Sequence, residues 1–64
     1  MNNNTQSKKY DFSAYEPKRE NLVAALQDVQ DKDGYISEDA VRELSEYFGI
    51  TRSDIYSVVS FYAQ

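Results

Sequence analysis

Apolar residues recur with the spacing of amphipathic helices in three consecutive segments of the chain. In the first segment, about residues 18–32, Leu22, Leu26 and Val29 occur at i, i+4 and i+7. The second segment, about residues 38–48, carries a comparable apolar stripe, formed by Ala40, Val41, Leu44, Tyr47 and Phe48. The third segment, about residues 52–63, carries another, formed by Ile55, Val58, Val59 and Tyr62. Because the connections are short, consecutive helices must be spatial neighbours. The pattern therefore predicts an all-α fold, a small three-helix bundle over residues 15–64.

Three residues are predicted to shape the turns of this bundle. Gly34 and Gly49 follow the first and second helices, where glycine can take the left-handed conformation that ends a helix. Gln30 lies on the apolar side of the first helix, and an amide in such a place must be hydrogen-bonded. We expect the Gln30 side chain to bind the backbone of the turn at residues 31–36.

The N-terminal residues differ in character from the helical part. Met1–Ser7 is polar and aperiodic, which is typical of a flexible tail. Three aromatic residues follow without a sustained period, namely Tyr10, Phe12 and Tyr15. They either pack loosely against the bundle or begin a short helical turn. The predicted organisation is a flexible polar tail with an aromatic segment over residues 1–14, followed by the domain.

Composition excludes several kinds of chemistry. The 64 residues include no cysteine and no histidine, so they cannot supply a thiol nucleophile, a Ser-His-Asp relay, an iron–sulfur cluster or an ordinary zinc site. No apolar run is long enough for a membrane-spanning helix, and no export leader is evident, which favours a soluble cytoplasmic protein without membrane insertion. We predict no catalytic, cofactor-binding or metal-binding residue and expect no enzyme activity from this chain by itself.

Two binding motifs are incomplete. The segment Asp31–Ser37 resembles an EF-hand calcium loop, but placing Gly34 at the sixth position leaves Val29 and Ala40 at the two ends of the loop, where oxygen ligands are needed. A helix-turn-helix over residues 44–63 would have a recognition helix with a single basic residue, Arg52. The acidic balance from residue 20 onward also argues against nucleic-acid binding. A degenerate calcium module remains a minor alternative.

Paired carboxylates on the second helix are a further candidate for acid–base chemistry. Glu38 and Asp39 form one pair, and Glu43 and Glu46 form another. Helical periodicity places them on the predicted solvent side, where nothing shifts their pKa values toward catalytic use. We therefore expect them to form a solvated face.

The third helix has more apolar surface than a three-helix bundle needs. At 100° per residue its apolar sector covers about 220°, roughly twice the stripe that docks on two neighbouring helices. Either the aromatic N-terminal segment covers the excess or another domain or subunit does, and self-association is a third possibility. Exposed aromatic patches often mark partner sites. The predicted partner interface consists of Tyr56, Phe61 and Tyr62.

Several motifs of the chain carry a resemblance to a known family. They are Tyr15-Glu16-Pro17-Lys18, the run from Leu22 to Gln30, Gly34-Tyr35-Ile36-Ser37, Gly49-Ile50, Ile55-Tyr56 and the run from Val58 to Gln64. In this order they closely resemble the N-terminal helical domain of the small thioredoxin-like [2Fe–2S] subunit of NADH-quinone oxidoreductase. The same subunit type occurs in NAD(P)-linked hydrogenases and formate dehydrogenases.

The resemblance implies a docking role rather than a redox centre in these residues. In the family the helical domain leads into a thioredoxin-like domain whose four cysteines hold the cluster, and this sequence ends at Gln64, where that domain would begin. Ser57 also stands where the family commonly has glycine. The resemblance implies a [2Fe–2S] cluster in the following domain, and FMN and NAD(P)H on a neighbouring flavin- and NADH-binding subunit. A free-standing adaptor or regulatory module is the alternative.

Overall fold

A computed structural model describes residues 10–62 and contains three α-helices within them. Helix α1 spans Leu22–Asp33, α2 spans Glu38–Phe48 and α3 spans Arg52–Tyr62. A single 3₁₀ turn, Arg19–Asn21, precedes α1, and this part of the chain has no strand. The predicted all-α three-helix bundle is thereby confirmed. The predicted polar tail at residues 1–7 lies outside the described residues.

The first helix begins later than its apolar pattern predicts. Lys18 has an extended backbone, with φ of −116° and ψ of 143°, and only the 3₁₀ turn separates it from α1. The Asn21 side chain donates a hydrogen bond to the Glu16 carbonyl at 2.9 Å and does not cap α1. Because this bond holds the chain in a turn before the helix, α1 starts at Leu22 instead of residue 18.

Local capping defines the remaining ends of the helices. Gly34 and Gly49 follow α1 and α2 with φ of 82° and 66°, the left-handed conformation that glycine adopts without strain. The Ser37 hydroxyl accepts a hydrogen bond from the Ala40 N–H at 3.1 Å at the start of α2. The Thr51 hydroxyl accepts one from the Asp54 N–H at 3.1 Å beside the start of α3. Short turns with these caps bring the three helices together.

The core lies between the helices and receives unequal contributions from them. The largest fully buried side chains are Leu22, Leu26 and Val29 from α1, Val41 and Leu44 from α2, and Ile55 from α3. Ile55 is the only fully buried residue among the described side chains of α3. Helix α3 therefore contributes one fully buried side chain to the core and packs mainly on α2.

The aromatic segment before the helices belongs to the core, although the sequence pattern assigns it to the tail. Phe12 is 7% exposed, and its ring lies 5.8 Å from the Tyr47 ring and 6.3 Å from the Phe48 ring, between centroids. The Phe12 carbonyl accepts a hydrogen bond from the Tyr15 N–H at 2.9 Å, which closes a turn. The packed domain therefore begins before residue 15, because the aromatic end of α2 provides a surface on which Phe12 packs.

Glu43 is buried, which corrects the prediction that it lies on the solvent side of α2. Only 2% of the residue is exposed. Its Oε1 accepts a hydrogen bond from the Tyr10 N–H at 3.2 Å, and its Oε2 lies 3.9 Å from Arg42 Nη2. The segment around Tyr10 covers this flank of α2, and helical periodicity contains no information about that long-range contact.

Removing the Phe12 ring should destabilise the domain severely. We expect Phe12→Ala to lower the free energy of unfolding by about 3 kcal/mol, as for other buried aromatic residues. That loss is comparable to the roughly 3–5 kcal/mol that a core of this size supplies. The graded variant Phe12→Leu should lose less, about 1 kcal/mol.

Urea denaturation followed by circular dichroism measures both losses. Tyr35→Ala is the control, because Tyr35 is 63% exposed and its removal should leave the urea midpoint unchanged. If both Phe12 variants unfolded at the same urea concentration as wild type, the aromatic segment that contains Phe12 would not pack on the core.

Candidate protein-interaction surface on the third helix

One side of α3 faces the bundle and the rest of its described surface faces solvent. Ile55 is completely buried, and Val58 and Val59 are half-buried against the core on either side of it. At 100° per residue these three positions span an arc of about 100°. The apolar surface beyond this arc is not needed to close the core.

The predicted interface residues lie outside that arc where their side chains are described. Tyr56 is 47% exposed and Phe61 is 79% exposed. Tyr62 occupies the last position of α3, and its side chain lies outside the described residues. The structure therefore places two large apolar side chains of one helix in contact with water.

Tyr56 and Phe61 lie on different flanks of α3. Phe61 lies five positions after Tyr56, so at 100° per residue the two side chains are one full turn plus about 140° apart around the helix axis. Ser53, Ser57 and Ser60 are exposed between the two rings, and we call these three residues the serine stripe. Ser53 was not among the residues that the sequence pattern singled out, although its spacing of four from Ser57 places both on the same side of the helix.

Hydroxyl groups of the serine stripe are bonded to the helix itself. Ser57 Oγ donates to the Ser53 carbonyl at 3.2 Å, and Ser60 Oγ donates to the Tyr56 carbonyl at 3.0 Å. Such bonds hold a serine side chain close to its own backbone. The stripe is therefore a shallow surface between two protruding rings.

Charged residues are absent from the second half of α3. Asp54 lies 3.6 Å from Arg19, measured between Oδ2 and Nη1, and no charged residue follows it in the sequence. Helix α2 is very different, because Arg42 lies within 4.0 Å of carboxylates of Asp39, Glu43 and Glu46. The second half of α3 is thus uncharged in an otherwise acidic domain.

The aromatic N-terminal segment leaves this surface exposed. The hydroxyl groups of Tyr10 and Tyr15 donate to the carboxylates of Asp33 and Asp28 on α1. The Tyr47 hydroxyl of α2 donates to the Tyr15 carbonyl at 2.5 Å. These bonds hold the segment on α1 and α2, so it does not cover the exposed rings of α3 as one of the sequence-based alternatives required.

A pocket beside the aromatic segment is the other concave feature of interest. Its lining residues are Tyr10, Asp11, Phe12, Glu43 and Tyr47, and its volume is about 120 Å³. Pockets for drug-sized ligands usually measure roughly 300–1,000 Å³. This pocket is therefore too small for such a ligand.

Gln30 stabilises the turn after α1 in a different way from the predicted one. Its backbone carbonyl accepts a hydrogen bond from the Gly34 N–H at 2.7 Å. Within residues 10–62 the structure shows no hydrogen bond from the Gln30 side chain to this turn, and the residue is half-buried. The left-handed Gly34 brings its N–H to the helix carbonyl, so the backbone closes the turn.

The described residues contain no group of three or more histidine, cysteine, aspartate or glutamate side chains that could hold a metal ion. No helix between residues 10 and 62 is long and apolar enough to cross a membrane.

Comparison with known proteins identifies the family. The family model of the thioredoxin-like [2Fe–2S] ferredoxins matches residues 8–64. The chain belongs to this family. The resemblance carried by the sequence motifs is thereby confirmed. No solved structure matches the chain.

The cluster that gives this ferredoxin family its name does not fit the residues of this chain. Cysteine thiolates hold [2Fe–2S] clusters, with histidine replacing two of them in one class. The 64 residues contain neither cysteine nor histidine. Their carboxylates and hydroxyls are not the ligands that such a cluster uses, and none of these residues is assigned a part in electron transfer.

The hydrogen bond that fixes Tyr15 on α1 should make stability depend on alkaline pH. Its bond to the Asp28 carboxylate raises the pKa of Tyr15 above the ordinary 10.0. The folded state therefore favours the protonated phenol, and this stabilisation is complete below pH 10 and lost as the pH rises through the raised pKa.

Tyr15→Phe removes this contribution and tests the contact. We expect the variant to have a lower urea midpoint than wild type at pH 8 and a smaller fall in midpoint between pH 8 and 11. The remaining tyrosines and the lysines also titrate in this pH range, but they are the same in wild type and variant. The difference between the two plots of urea midpoint against pH therefore reports on Tyr15 alone. Superimposable curves would rule out a stabilising bond to Asp28.

Proposed function

We propose that this chain is a non-catalytic docking domain of a cytoplasmic NAD(P)H-linked redox enzyme complex. In this proposal the exposed surface of α3 binds a flavin- and NADH-binding subunit, beside a thioredoxin-like domain that carries the [2Fe–2S] cluster. The helical domain positions the redox domain and transfers no electrons itself. Its packed unit includes the aromatic segment from Tyr10 onward together with the three helices.

The exposure of Phe61 is the observation that carries the proposal. This ring is 79% exposed on a regular helix, and Tyr56 of the same helix is 47% exposed. Residues 10–62 form their own core of eleven buried apolar side chains without either ring. Aromatic residues contribute large contact areas and frequently dominate the binding energy of protein interfaces. Two such rings that the core does not use are best explained by a protein partner.

Burial of Glu43 supports a structural role for the acidic residues. Within the described part of the chain, Glu43 is the only buried charged residue. It contacts Arg42 and accepts the Tyr10 N–H, which are contacts that attach the aromatic segment to α2. Burial of this carboxylate is therefore explained by folding, and catalysis is not needed to account for it.

Family membership supports the choice of partner. The chain matches the thioredoxin-like [2Fe–2S] ferredoxin model over residues 8–64, and its motifs resemble the helical domain of subunits that work with flavin- and NADH-binding proteins. A domain without cluster ligands in such a complex still has to be held against its neighbours. The uncharged second half of α3 provides a surface that can be buried without the desolvation of charges.

A double variant tests the docking function. Tyr56→Ala with Phe61→Ala should weaken binding to the flavin- and NADH-binding subunit at least about 30-fold, which corresponds to about 2 kcal/mol. Both rings are exposed, so the helical circular dichroism spectrum and the urea midpoint should stay close to those of wild type.

Isothermal titration calorimetry gives the dissociation constants. Tyr35→Ala is the matched control, because it removes an aromatic ring that is 63% exposed in the turn between α1 and α2. We expect this control to bind as wild type does. Unchanged affinity of the double variant would refute the assignment of the α3 surface.

A further inference from the structure

We draw no further inference here: the strongest candidate, the exposed face of α3 that carries Tyr56, the serine stripe and Phe61, belongs to the docking surface already proposed, and nothing in the structure shows what covers it.

Discussion

The one-sided contact between α3 and the rest of the bundle is the constraint on which the other features depend. Ile55 is completely buried, and Val58 and Val59 are half-buried beside it. Any further apolar residue on the helix must face outward, since a cylinder can offer only one side to the bundle. Exposure of Tyr56 and Phe61 is therefore a consequence of their positions on the side of α3 that faces away from the core.

The aromatic segment completes the core at a different place and so cannot relieve this exposure. Phe12 packs on the rings at the end of α2, and the tyrosine hydroxyls of the segment are bonded to α1. Its backbone is also attached to Glu43, which explains how a carboxylate is accommodated at 2% exposure. A short domain without disulfides gains from using every available aromatic residue in its core. That two rings are nevertheless left in water on α3 is difficult to explain by folding alone.

Local signals made the helices predictable, whereas contacts between distant residues were not predictable. The helical spacing of apolar residues and the helix-ending glycines at 34 and 49 are signals between residues close together in the sequence. The structure has its helices where that spacing occurs and ends the first two at these glycines. Glu43 was misplaced because the residue that covers it, Tyr10, is 33 positions away in the sequence. Packing of Phe12 on the bundle was one of two alternatives that the sequence left open, since no period identifies an isolated aromatic residue as buried. The arc between Tyr56 and Phe61 follows from helical geometry, but their exposure depends on where the N-terminal segment lies.

Segregation of charge and apolar surface explains how one small domain could bind a partner without aggregating. The sequence contains more acidic than basic residues, and the formal net charge of −4 opposes close approach of two copies. Helix α3 has no charged residue from Ile55 to Tyr62, so in the proposed function apolar attraction to a partner is confined to this helix. An acidic body of this kind lets electrostatics select the orientation of approach while apolar packing determines how long the complex persists. Membership of a redox family is compatible with a domain that has no redox ligands, because electron transfer depends on distances that the docking surface proposed above would maintain.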